Sequence, residues 1–206
     1  MPYHNSLKHY FVTGTDTDVG KSVVSALLLQ AMKNAGKEPF YLKPLQTGCR
    51  GPYDPESDAA VIAARLGNNI VIDPAESTLY CLPQPKAPWL AGINANQNIE
   101  PDQLFDRINT VRNKKSALVI EGAGGLMVPI TADFLMLDLM ARLAMPVVLV
   151  ARDNLGTINH TLLSIAALID RNIPIQGVLL TASAQNPTSP EMVEENKMAI
   201  EHFGGV

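Results

Sequence analysis

Cysteine is scarce in this chain, with two among 206 residues, Cys49 and Cys81. Two thiols cannot make a disulfide framework or a four-cysteine zinc site, and they read as a reduced pair. Charge is sparse as well. Charged residues make up 17% and apolar residues 47%, too little charge for a disordered chain and enough apolar surface for a sizeable core. There is no basic excess, since sixteen Lys and Arg against twenty Asp and Glu give a net charge of −4. The chain offers no excess positive field, so neither nucleic acid nor an anionic membrane is expected as a partner. An uninterrupted long apolar run is also missing. The longest candidate, Asp133 to Val150, is broken by Asp138, Arg142 and Pro146 and cannot span a bilayer. Met1 to His9 is polar and lacks the apolar stretch of a signal peptide. These absences lead to the expectation of a soluble, cytoplasmic protein. At roughly 150 residues per domain, residues 1–206 are expected to form one domain.

What is present is an alternation. Short apolar runs at Tyr10–Thr13, Phe40–Leu42, Ala117–Ile120, Val147–Val150 and Val178–Leu180 are continuous rather than alternating. That pattern suits strands buried on both faces of a parallel sheet. Amphipathic stretches lie between them at Lys21–Ala35, Ser57–Leu66, Pro101–Asn113, Phe134–Leu143, Asn159–Arg171 and Pro190–His202. Gly36 and Gly67 fit helix C-caps, and Pro101 and Pro190 fit first helical turns. The expected fold is α/β: a doubly wound, mostly parallel sheet with helices on both faces. Residues 68–98 carry Pro74, Pro83, Pro85 and Pro88 with little periodicity. They read as an irregular excursion, either functional or a plain surface connection. In such folds ligands bind beyond the carboxyl ends of the strands.

Directly after the first run stands Gly14-Thr15-Asp16-Thr17-Asp18-Val19-Gly20-Lys21-Ser22, followed by an apolar helix. This is a phosphate-binding loop with one extra residue between its glycines. Gly20 lets the backbone approach a phosphate, and successive N–H groups with the helix N-terminus supply partial positive charge. Lys21 places a full charge on the β/γ oxygens, and the Ser22 hydroxyl can bind Mg²⁺. The loop makes the fold a P-loop NTPase type and names a nucleoside triphosphate without naming its use.

A magnesium–nucleotide site also needs hard oxygen ligands from acidic side chains. Glu121 closes the run Ala117–Ile120 and opens Glu121-Gly122-Ala123-Gly124-Gly125, where the glycines leave room for a ligand. Asp58 stands at a helix start, where position alone makes it a partner of the helix dipole. Lys43, before Pro44, ends the second run. Its place allows two roles, a solvated surface lysine or a charge that stabilises a transferring phosphoryl group.

The motifs together resemble the dethiobiotin synthetase family. Four blocks carry the resemblance: Phe11 to Ser22, Lys43-Pro44 with Thr47-Gly48, Glu121 to Gly125, and Leu155-Gly156-Thr157-Ile158-Asn159-His160. The acidic, threonine-rich loop is the most distinctive of them. The resemblance implies catalytic roles for Lys21, Lys43 and Thr17. It implies a nucleotide site of Asp18, Val19, Gly20, Lys21, Ser22, Val23, Asp58, Glu121, Gly122, Ala123 and Gly124. Mg²⁺ would be held by Ser22, Asp58 and Glu121. The substrate, 7,8-diaminopelargonic acid, would meet Thr17, Lys43 and Thr47, and its carboxylate would dock on Gly156, Thr157, Ile158 and Asn159 of a second subunit. A homodimer follows from that. The implied reaction takes CO₂ and ATP, passes through a carbamate and a carbamic–phosphoric mixed anhydride, and ends in ring closure to dethiobiotin. Neither cysteine is needed.

Two departures stand against the family pattern. Thr181-Ala182 replaces an Asn-Asp pair that contacts the base, and the sequence stops at Gly204-Gly205-Val206 where relatives usually continue. The alternative reading is a nucleotide-switched dimeric ATPase of the partition or septum-placing type. Such proteins generally carry an extra lysine early in the loop, and Gly14-Thr15-Asp16 has none. A synthetase of the cobyrinic or cobyric acid type needs a glutaminase domain that 206 residues cannot hold. Met127, Met136, Met140 and Met145 are read as core filling, Trp89 as packing or a pocket wall, His160 as a structural group at a helix start, and Glu191–Glu195 as a solvated helix face.

Overall fold

The computed structural model describes residues 9–182 and 187–206. Six strands form one sheet: β1 (His9–Gly14), β2 (Pro39–Thr47), β3 (Thr78–Leu82), β4 (Ala117–Gly125), β5 (Val147–Arg152) and β6 (Ile175–Thr181). Their order is β3-β2-β4-β1-β5-β6, and every pair is parallel. Eight α-helices accompany them among the described residues: α1 (Lys21–Asn34), α2 (Asp58–Leu66), α3 (Pro74–Ser77), α4 (Pro88–Asn94), α5 (Pro101–Lys114), α6 (Met136–Leu143), α7 (Thr157–Asp170) and α8 (Pro190–Gly204).

The continuous apolar runs behave as strands covered on both sides. Tyr10, Val12, Tyr41, Val119, Val148 and Val150 face a core shared with Val24, Leu29 and Met32 of α1 and Ile62 of α2. Their neighbours Phe11, Leu42, Leu118, Ile120, Val147 and Leu149 face the other core, with Leu104 and Ile108 of α5, Leu139 and Met140 of α6, Leu168 of α7 and Ile200 of α8. Side chains that alternate across the sheet therefore need apolar residues at every position. No helix among the described residues is long and apolar enough to cross a membrane.

Several expectations are corrected. Residues 68–98 are not irregular: α3, the edge strand β3 and α4 occupy much of the segment. Pro74 and Pro88 stand in the first turns of α3 and α4, where a missing N–H costs nothing. Only alternate residues of β3 are fully buried, so the strand lacks the apolar continuity of the central ones. Lys43 and Glu121 are not strand ends, because β2 continues to Thr47 and β4 to Gly125. Helix α7 begins at Thr157, two residues earlier than the periodicity suggests, and α6 begins at Met136, two later. Met136, Met140 and Met145 lie in the core, but Met127 is exposed.

Two features of the sheet open the site. Pairing of β2 with β4 stops at Leu42 with Ile120, after which β2 pairs with β3 alone, starting at Lys43. In β4 the register against β1 slips between Glu121, opposite Val12, and Gly125, opposite Gly14. Gly124 takes φ +67 in that bulge, and a Cβ there would stand 2.7 Å from Val128, so only glycine fits. The sheet thus parts just where Lys43 and Glu121 stand.

Candidate active site

The loop between β1 and α1 turns on Asp18 and Gly20, at φ 55 and 91. At Gly20 a side chain would be strained and would also press on Thr181, 3.1 Å from the position of its Cβ. Gly20 caps α1 with no side-chain hydrogen bond, which leaves the free N–H groups of the first turn for a ligand. The Lys21 ammonium folds back onto the Asp16 carbonyl at 2.7 Å. Burial and the nearby Lys43 lower its pKa to about 8, against the pull of Glu121 and Asp58.

Four elements bring charge to one point. The Ser22 hydroxyl of α1 lies 3.1 Å from Asp58 Oδ1 and 2.9 Å from Glu121 Oε1. The Lys43 ammonium of β2 stands between the same carboxylates, 2.6 Å from Asp58 Oδ2 and 3.0 Å from Glu121 Oε1. It also donates to the Gly122 carbonyl at 2.9 Å. Lys43 and Glu121 are 4% and 1% exposed, so Lys43 is no solvated surface lysine. Burial alone would lower the pKa of Lys43, but Glu121 and Asp58 outweigh it and raise the value. For Asp58 burial works upward, and Lys43 with the Ser22 hydrogen bond brings the net pKa down. For Lys43 and Asp58 the charged forms are favoured because each faces an opposite charge across the cluster.

These groups line a cleft of about 470 Å³ with Thr17, Asp18, Gly20, Lys21, Val23, Thr47, Ala123 and Gly124. Val19 is buried behind the loop, its carbonyl held by the Thr181 hydroxyl at 2.6 Å. Thr181 therefore serves the loop backbone. Gly156, Thr157, Ile158 and Asn159 do not line this cleft. They open α7, with Gly156 at φ 94 as N-cap and no side-chain cap. Thr157 is turned inward, its hydroxyl 3.4 Å from that of Thr161. Trp89 is partly exposed and lies outside the cleft, its backbone N–H donating to the Pro129 carbonyl.

Three participants escape the sequence reading. Ser25 and Tyr41 each donate a hydroxyl to Glu121 Oε2, at 2.8 and 3.0 Å. Gln46 accepts from the Asp58 backbone N–H at 3.0 Å and donates to the Thr47 carbonyl at 3.0 Å. A signal exists for the first two. Ser25 follows Ser22 by three residues on a helix, and Tyr41 precedes Lys43 by two on a strand, so each shares a face with a site residue.

An all-parallel sheet, a glycine-bearing loop that delivers a lysine and a hydroxyl at a helix start, and two carboxylates opposite them define a P-loop nucleotide-dependent α/β protein. A family described as an AAA domain matches residues 8–206. The chain is 42% identical over 201 residues to the ATP-dependent dethiobiotin synthetase BioD of Paramagnetospirillum magneticum, covering 97% of this chain and 85% of that one. It is 44% identical over 198 residues to the biotin biosynthesis bifunctional protein BioCD of Bordetella avium, covering 95% of this chain but 37% of that longer protein. Among solved structures, a ParA family ATPase from Chlorobium tepidum superposes with a TM-score of 0.52 at 16% identity, over 92% of this chain and 79% of the other. That likeness speaks for the fold alone. The chain belongs to the ATP-dependent dethiobiotin synthetase family.

Proposed function

We propose that the cleft positions MgATP against the carbamate of 7,8-diaminopelargonic acid and closes the ring of dethiobiotin. The activity itself follows from family membership: the chain is an ATP-dependent dethiobiotin synthetase of biotin biosynthesis. The roles of individual residues are our reading. The observation that carries it is that Lys21 lines the same cleft at the phosphate loop as the interacting cluster of Ser22, Lys43, Asp58 and Glu121.

Three hard oxygens, from Ser22, Asp58 and Glu121, suit Mg²⁺. No group of three or more His, Cys, Asp or Glu that could hold a metal exists among the described residues, so phosphate oxygens and water would complete the shell. That the Lys43 ammonium rests between the same carboxylates supports the fit, because the place already favours a cation. Mg²⁺, when bound, supplies charge neutralisation on the β- and γ-phosphates.

In the reaction an amine of the substrate adds to CO₂ and loses a proton, giving the carbamate. A carbamate oxygen attacks the γ-phosphorus, the bond to the bridging oxygen breaks, and ADP leaves. The neighbouring amine then attacks the anhydride carbonyl, phosphate departs and a proton is released. Lys21 and the loop N–H groups grip the phosphates, and Lys43 neutralises charge on the transferring phosphoryl group. Thr17 and Thr47 line the same cleft, and in this reading they meet the carbamate. The N-terminus of α7 from a second copy, Gly156 to Asn159, holds the substrate carboxylate, which makes the working form a homodimer. No covalent nucleophile is required, since positioning and charge suffice.

The test is product mass. The protein is incubated with the diamine, bicarbonate, Mg²⁺ and ATP, and dethiobiotin is sought. Dethiobiotin that disappears when EDTA removes the metal is the expected result. A folded, ATP-binding protein that yields none would return weight to a nucleotide-switched ATPase.

A further inference from the structure

Glu121 is held by both oxygens, and the two are used differently. Oε1 faces the cleft, where it meets Ser22 and Lys43. Oε2 faces inward and accepts from Ser25 Oγ at 2.8 Å and Tyr41 OH at 3.0 Å. Ser25 and Tyr41 are fully buried. Burial, Glu121 and Asp58 together push the Tyr41 phenol well above its usual pKa, so it remains a donor.

The two donors come from the elements that already build the site. Ser25 stands one helical turn beyond Ser22 on α1, and Tyr41 stands two residues before Lys43 on β2. Helix and strand therefore each present one group to the cleft and a hydroxyl one layer deeper. A hydroxyl buried without a partner is costly, and so is a carboxylate. The three groups satisfy one another and fix the carboxylate plane. A carboxylate pinned on one oxygen can turn only the other toward a cation, and partners of this kind orient metal ligands and tune their basicity.

We propose that Ser25 and Tyr41 are positioning residues for metal binding. They aim Glu121 Oε1 at the cation and touch neither the substrate nor the reacting atoms. The inference rests on the assignment of Glu121 as a metal ligand made above.

The experiment measures ADP binding by calorimetry, once with Mg²⁺ and once in EDTA, on the full chain. The ratio of the two dissociation constants isolates what the metal adds. In Tyr41→Phe and Ser25→Ala that ratio should shrink by about tenfold, with the dissociation constant in EDTA unchanged. A ratio equal to that of the unaltered protein overturns the proposal. An equal weakening with and without Mg²⁺ also overturns it, because that marks a packing role. Should Tyr41→Phe fail to fold, Ser25→Ala decides alone, since it removes one oxygen from a helix interior. If the unaltered protein shows no gain from Mg²⁺, the metal assignment itself fails, and the inference with it.

Discussion

The phosphate-loop cleft and the N-terminus of α7 were both expected to bind parts of one substrate complex, yet they are built in opposite ways. At the cleft, buried side chains carry full charges: Lys43 and Glu121 are locked to each other at 3.0 Å, with Asp58 and Ser22 alongside. At the start of α7 the side chains contribute little. Thr157 turns into the core, Gly156 has none, and Asn159 is exposed and outside the cleft. What that turn offers is backbone N–H. A triphosphate with a divalent cation demands several fixed charges, whereas a single carboxylate is served by one helix end. A single chain assembles the charged cleft and does not bring the α7 terminus to it.

Removing Lys43 should break the cleft most severely. Lys43→Ala is expected to lower turnover about a thousandfold, the scale of losing a group that stabilises developing charge. It should also leave buried Glu121 and half-buried Asp58 without their cation, so the melting temperature should fall and recover with MgADP. Near-normal turnover would remove Lys43 from the mechanism. An unchanged melting temperature without ligand would deny that the ion cluster supports the fold.

Asn159→Asp attacks the other region. A negative charge at that helix start should raise KM for the diamine about tenfold while leaving KM for ATP alone. If both constants move together, the two regions are not the separate sites described. Mixing the two variant chains then asks whether the regions meet across a dimer. Hybrid dimers would hold one site with both lesions and one with none, so activity at low substrate should rise to about a quarter of the unaltered level. Activity no greater than the sum of the separate variants would place each site within one chain.

The legibility of the sequence follows the same division. The phosphate loop was readable because backbone geometry demands residue types: Gly20 at φ 91 admits hardly anything else, and Lys21 and Ser22 must follow it at the helix start. The central strands were readable because both faces are buried. Edge strand β3 was not, since two of its five residues are only partly covered and prolines flank it. Lys43 and Glu121 read as strand ends because a charged residue interrupts an apolar run. Both strands continue because β2 goes on pairing with β3 and β4 with β1, and the ion pair neutralises the two charges buried there. Ser25, Tyr41 and Gln46 look like ordinary core-facing residues in one dimension. Their roles come from distances between α1, β2, α2 and β4 that no local pattern encodes.

The smallest effect is expected at Thr157. If the α7 terminus works through its backbone, the Thr157 side chain has no part in binding, although it lies inside the expected docking turn. Its hydroxyl is buried against that of Thr161, and valine has nearly the same shape. Thr157→Val should leave KM for the diamine within roughly twofold of the unaltered value, because the helix N–H groups stay in place. It should cost about 1 kcal/mol of stability, since the Thr161 hydroxyl loses its partner inside the core. Denaturant unfolding reads the second quantity and initial rates the first. A large rise in KM with little loss of stability would reverse the assignment: the hydroxyl would then have to turn outward to the carboxylate in the working dimer. The contrast between a cleft run by side chains and a helix end run by main chain would not survive that result.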